Sequence, residues 1–129
     1  MKLSLKTRRS GAVMIIRCEG RIVYRHEAAA LSRVVRQALE HTREVVLDFA
    51  GVQGIDSAGL GELVLMHMWA VTQDKALKLA GGTSRVRELL ELTNLSSVLT
   101  MYSSLEDAMH LGDEWPPVVR RGDAGLGAV

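Results

Sequence analysis

The period of the apolar positions changes several times along the chain, and each change marks an element. Over residues 3–7 apolar and polar residues alternate, as in a half-exposed strand. Ser10-Gly11 is a turn signal, and residues 12–18 read as a second strand, antiparallel to the first. Past Gly20 the period lengthens. Leu31, Val34, Val35, Ala38 and Leu39 fit the i, i+3, i+4, i+7, i+8 template of an amphipathic helix, with Arg33, Arg36, Gln37 and Glu40 on its other faces. Residues 44–49 are apolar and β-branched, as a buried strand is, and a second helix is predicted from Ser57 to about Gln73. Residues 75–80 form a strand closed by Gly81-Gly82. Ser84 is expected to cap a third helix that runs to about Thr93, with Asn94 as its stop. Residues 98–102 are β-prone, Ser103-Ser104-Leu105-Glu106 has the form of a capping box, and Gly112 closes the last helix.

Strands alternating with helices imply an α/β fold with parallel pairing after an antiparallel opening hairpin. The expectation is one domain over residues 1–112, with a mixed central sheet and about four helices. From 113 to 129 the pattern is lost: Pro116-Pro117, Gly122, Gly125 and Gly127 interrupt it, and this tail is expected to be flexible. Its apolar groups, Trp115 and Val118-Val119, are the ones able to dock on the domain or on a partner.

Composition narrows the function classes. A chain of 129 residues with 47% hydrophobic residues has the apolar mass for one core. Sixteen basic against 15 acidic residues leave a net charge of +1, which makes no electrostatic case for nucleic acid or an anionic membrane. The cations near the start, Lys2, Lys6, Arg8 and Arg9, alternate with Leu3, Leu5 and Thr7 and suggest the solvated face of a strand. The single cysteine, Cys18, cannot form an internal disulfide and reads as a small apolar strand residue. No Cys/His spacing suits a metal, and no cofactor is expected. No apolar run approaches a membrane span and no signal peptide pattern opens the chain, so a cytoplasmic protein without membrane insertion is expected.

The chemistry concentrates at Ile55-Asp56-Ser57-Ala58-Gly59-Leu60-Gly61, between the strand at 44–49 and the second helix. Ser57 falls at or near a helix N-cap, where free N–H groups and the helix dipole favour negative charge. A hydroxyl there can cap the helix, act as a nucleophile or accept a phosphoryl group. Capping is the ordinary role of Asp and Ser before a helix. A nucleophile elbow needs glycine two residues before the serine, and Ile55 stands there. A phosphate loop needs Lys-Ser/Thr after its glycines, and none follows. Phosphate on Ser57 would add about −1.5 to −2 charges beside Asp56 and near Asp48. That suits a protein-binding surface turned off by phosphorylation. The second helix carries two apolar sets. Leu60, Leu63, Val64, Met68 and Val71, with a packed His67 among them, are expected in the core. Leu65, Met66 and Trp69 lie on another face and are expected at a partner surface.

Val45-Val46-Leu47-Asp48-Phe49, Val52, and then Ile55-Asp56-Ser57-Ala58-Gly59-Leu60-Gly61 resemble the signature of the STAS domain, whose family includes the bacterial anti-sigma factor antagonists. Gly20-Arg21-Ile22 is similar to that family's glycine-led entry into its first helix, and residues 86–95 to its third helix and following turn. The resemblance spans about residues 3–111. It implies an antagonist that is not an enzyme. Such a protein captures an anti-sigma factor, a serine kinase of the histidine-kinase-like ATPase type, and so frees a sigma factor until Ser57 is phosphorylated. The surface around that serine would be Asp56, Ser57, Ala58, Gly59 and Leu60 together with Leu65, Met66 and Trp69. A second copy of the chain is a further candidate partner. The chain departs from many phosphorylatable members at Val23, where they carry Asp or another polar residue.

Two other readings stand beside this one. A STAS module can instead serve as a stressosome-type scaffold or as the small subunit of a lipid-transport complex. A response-regulator receiver would use Asp48 as phospho-acceptor, but it needs an acidic pair after the first strand to hold a cation, and the early strands offer none. No nucleophile–base–orienter set can be assembled from the spacing.

Overall fold

The structure, a computed structural model, describes residues 2–112, so the expected flexible tail at 113–129 lies outside the described residues. The order is β1 (Ser4–Ser10), β2 (Val13–Ile22), α1 (Tyr24–His41), β3 (Glu44–Ile55), α2 (Ser57–Thr72), β4 (Ala76–Ala80), α3 (Ser84–Leu92), a 3-10 turn (Leu95–Ser97), β5 (Thr100–Tyr102) and α4 (Leu105–Gly112). The five strands form one sheet in sequence order. β1 pairs antiparallel with β2, and the remaining neighbours are parallel. The fold is therefore the mixed α/β sheet with an opening hairpin and four helices that the pattern predicts.

Parallel crossovers are right-handed with few exceptions. Three that step across the sheet in one direction place α1, α2 and α3 on the same face. Their buried residues, among them Leu31, Val35, Leu63, Met66, Val86 and Leu90, form one core with Ile16, Cys18, Val45, Leu47, Phe49 and Leu79 of the sheet. Burial pushes the Cys18 thiol up to about 12, with Asp48 adding to the shift, so it stays a neutral core group. Among the described residues the second face carries α4, with Ala108 against Val13, Ile15, Val46 and Ala80. Every residue from Glu44 to Phe49 is buried, because β3 is the central strand and is covered on both faces.

β2 and β3 are longer than their apolar runs suggest, reaching Ile22 and Ile55 instead of Cys18 and Phe49. The register shows why. Arg17 pairs with Asp48 but Glu19 with Gly51, and Gly20 pairs with Val52 but Arg21 with Gly54. Two bulges each slip an extra residue into β3 and break the alternation that marks a strand. Gly20 thus belongs to β2 rather than leading directly into the helix. It has φ +109°, and a Cβ there would lie 2.4 Å from the Lys2 carbonyl oxygen.

Two caps sit one residue away from their expected places. The Thr83 hydroxyl, not Ser84, accepts the Val86 N–H at 3.3 Å. The Ser104 hydroxyl accepts the Asp107 N–H at 3.1 Å, and Ser103 donates to the Asp107 carboxylate at 2.8 Å. Asn94 does stop α3, with φ +64°. On the second face Lys78 Nζ lies 2.6 Å from Glu44 Oε2, and the two side chains are only 11% and 1% exposed. The approach lacks hydrogen-bond geometry, and among the described residues neither Glu44 oxygen has a hydrogen-bond partner, so Lys78 answers this carboxylate by charge.

Candidate functional site

β3 ends by handing its last extended residue, Asp56, to α2. Asp56 is the N-cap, with φ −109° and ψ −173°, and its Oδ1 accepts the Gly59 N–H at 3.0 Å. Its other oxygen, Oδ2, accepts the Tyr24 N–H at 2.9 Å, and its own N–H donates to the Ile22 carbonyl at 3.2 Å. One carboxylate therefore serves the first turns of two helices. Val23, the N-cap position of α1, offers no side-chain acceptor. Asp56 fills that gap from the next strand tip. The Tyr24 N–H first, and the Gly59 N–H second, hold the Asp56 carboxyl below the usual carboxylate range.

Ser57 is the first residue of α2 and is exposed, and its hydroxyl makes no hydrogen bond to any described residue. The capping role open to it from sequence thus falls to Asp56. Ala58 and Leu60 are half-buried and Gly59 is buried. A Cβ on Gly59 would stand 2.6 Å from Ile55 Cγ1 and 2.7 Å from the Ile22 carbonyl oxygen, which already binds Asp56. Gly59→Ala should therefore cost about 1–3 kcal/mol of stability by overpacking, measured as the shift in urea midpoint. An unchanged midpoint would show that the junction can open without loss.

The rotation of α2 differs from the expected one. Its buried line is Gly59, Leu63, Met66 and Ala70. Met66 is 0% exposed, so its side chain is core and not the surface residue expected. Met68 and Val71 are 56% and 59% exposed, although they were expected in the core. Leu60 and Val64 are partly buried against the core. Leu65 is exposed at 51%. Trp69 is half-buried, with the Arg36 guanidinium 5.7 Å from its ring centroid. At 100° per residue, Ser57, Gly61, Leu65 and Met68 fall within about 80° of one another. All four are exposed. His67 is half-buried, and desolvation lowers its pKa.

Sequence reasoning missed two features. One is the shared cap. The other is a pair of cavities of about 280 and 350 Å³ that open beside Asp56; Arg21 and Val23 line both, Arg85 the first and Glu27 the second. Asp48, the receiver candidate, lies on the second face of the sheet at 9% exposure, with Oδ1 accepting the Ala50 N–H at 3.0 Å.

The sequence model of the STAS domain matches residues 4–108. The chain belongs to the STAS domain family. Solved STAS-like structures share its fold at low identity. An anti-sigma factor antagonist from Mycobacterium paratuberculosis is 18% identical, with a TM-score of 0.74 over 84% of this chain and 92% of that one. The Bacillus cell fate determinant SpoIIAA in its phosphorylated form is 14% identical, with a TM-score of 0.64 over 83% of this chain and 97% of that one. A sulfate transporter family protein from Wolinella succinogenes is 19% identical, with a TM-score of 0.70 over 79% and 85%. The STAS fold is thus shared between antagonists and transporter-associated proteins. Among the described residues no helix is long and apolar enough to cross a membrane.

Proposed function

We propose that this STAS protein is a cytoplasmic anti-sigma factor antagonist switched by phosphorylation at Ser57. The observation that carries the reading is an exposed serine with no capping duty, at the head of a helix face that exposes Leu65, Met68 and Val71. Exposed apolar side chains in a row are what a protein partner covers. Asp56, Ser57, Ala58, Leu60, Leu65 and Trp69 belong to the partner surface, and Gly59, buried beneath it, lets α2 start close against Ile22 and Ile55. The partner is an anti-sigma factor that is also a serine kinase of the histidine-kinase-like ATPase type. Its capture releases a sigma factor. The kinase step transfers the ATP γ-phosphoryl group to Ser57 Oγ, with ADP leaving and the hydroxyl proton passing to the kinase. The product carries about −1.5 to −2 charges at the edge of an apolar interface, which must desolvate them.

The test is a variant series at Ser57. Ser57→Ala removes no hydrogen bond made within the described residues, so its fold and its partner affinity should match the wild type. Ser57→Glu places a charge at the helix N-terminus, which folding tolerates, yet it should weaken binding by about tenfold to a hundredfold, less than a fully buried unpaired charge would because Ser57 lies at the edge of the interface. Calorimetric titration against a kinase-type anti-sigma factor from the same organism reads the affinity, and thermal unfolding reads the fold. Equal affinity for the Ala and Glu variants would sink the switch. Capture of a permease in place of a kinase would favour a STAS subunit of a transport complex.

A further inference from the structure

Among the described residues α4 covers only part of the second face of the sheet. Between the start of that helix and the edge strand β1 lies a cavity of about 310 Å³, lined by Lys6, Arg8, Ile15, Arg17, Asp48 and Leu105 among others. Lys6 and Arg8 are two apart on β1, so they project to one side. Arg17 stands directly opposite Lys6 in the antiparallel register, and Ile15 opposite Arg8. Like charges directly opposite across a strand pair repel each other. Arg17 has answering charges, Glu19 at 3.0 Å in a pair well open to solvent and Asp48 opposite it across the β2–β3 pairing. Lys6 and Arg8 form no hydrogen bond or ion pair with any described residue.

The floor is of the opposite character. Ile15 is 3% exposed, Leu105 forms a wall, and the aliphatic stems of Lys6, Arg8 and Arg17 extend the apolar surface. Asp48 stands at the β3 side, one oxygen fixed by the Ala50 N–H. It repels negative charge there and leaves the β1 side for an anionic head. A concave apolar floor with a few convergent polar groups is the usual build of a small-molecule site, and the volume is at the small end of that class.

We infer that this cavity binds a small amphipathic anion, a carboxylate or phosphate monoester with a short apolar chain. The head group meets Lys6, Arg8 and Arg17, and the chain lies over Ile15 towards Leu105. The site is on the sheet face opposite α2, so it does not depend on the role of Ser57.

Titration of the isotope-labelled full chain, followed by backbone amide shifts, tests this. Octanoate and octyl phosphate are the carboxylate and phosphate probes, octanol is the neutral control and inorganic phosphate the control without a chain. Either anionic probe should saturate, with shifts confined to β1, Ile15, Arg17, Asp48 and Leu105. Octanol and inorganic phosphate should each bind at least about tenfold more weakly, as loss of a charge-assisted contact or of the apolar contact predicts. The double variant Lys6→Gln/Arg8→Gln should weaken octanoate by about tenfold or more. Lys6→Arg/Arg8→Lys, which keeps both charges, should restore it. Both positions are exposed on an edge strand, so the thermal midpoint should hold. Octanol binding as tightly as octanoate, phosphate binding as tightly as octyl phosphate, indifference to the double Gln variant, or shifts centred on α2 would each overturn the site.

Discussion

Asp56→Ala should lower the unfolding free energy by about 2–4 kcal/mol, roughly twice the loss of an ordinary helix cap. The reason is that one carboxylate answers two helix starts, the Tyr24 N–H of α1 at 2.9 Å and the Gly59 N–H of α2 at 3.0 Å. Neither donor has a replacement at hand. Val23 cannot cap, and Tyr24 sits at φ +67°, a left-handed conformation that costs a non-glycine residue about 1–2 kcal/mol and needs support from its surroundings. Asp56→Asn keeps one acceptor oxygen and should lose about half as much. Urea unfolding at neutral pH measures both. The same bonds set a pH dependence. The Asp56 pKa is lowered in the folded protein, so its contribution is complete above the unfolded value of about 4 and is lost as pH falls through the lower folded value. Below about pH 4 the wild type should therefore converge on Asp56→Asn. A constant gap between them down to the acid limit would refute the ionic cap.

Lys78→Ala should cost more, about 3–5 kcal/mol. Glu44 is 1% exposed in its side chain and has Lys78 as its counter-charge at 2.6 Å. Taking the ammonium away leaves a buried carboxylate without its countercharge. The 11% exposure of Lys78 lets some water reach the gap and favours the lower end of that range. Removing both charges is a different matter, because the desolvation of Glu44 disappears with its charge. Glu44→Leu/Lys78→Met should recover most of the loss, or exceed the wild type. A double-mutant cycle in urea decides it. A Lys78→Ala variant as stable as the wild type would show that Glu44 is not held by this pair.

The order of elements is legible along the chain because the period of apolar residues switches cleanly between about 2 and 3.6. The pattern of Leu31, Val34, Val35, Ala38 and Leu39 and the stop at Asn94 are of this kind. The rotation of α2 is not legible. Leu60, Leu63, Val64, Leu65, Met66, Met68, Trp69 and Val71 surround the helix, so no azimuth is marked as core. What selects it is tertiary: the close fit of Gly59 on Ile22 and Ile55, and the Asp56 cap. The shared cap is hidden for another reason. Tyr24 and Asp56 are 32 residues apart, and nothing local to either announces the other. The ends of β2 and β3 escape because bulges erase alternation where the strands still pair. The start of α2 itself is plain in the sequence, since Asp56 before an apolar run is a preferred helix cap.

Among the described residues the sheet ends at two border strands, β1 and β5, and they differ. β5 is only three residues long, whereas β1 runs for seven and carries Lys6, Arg8 and Arg9. An unpaired strand of that length is a template on which a second chain could build a continuous ribbon. Two β1 edges brought together would face their cations at close range, and that repulsion would oppose edge-to-edge pairing between copies of the chain. Concentrated salt, which shrinks the reach of such charges to about 3 Å at 1 M, would lift this guard while leaving the core untouched.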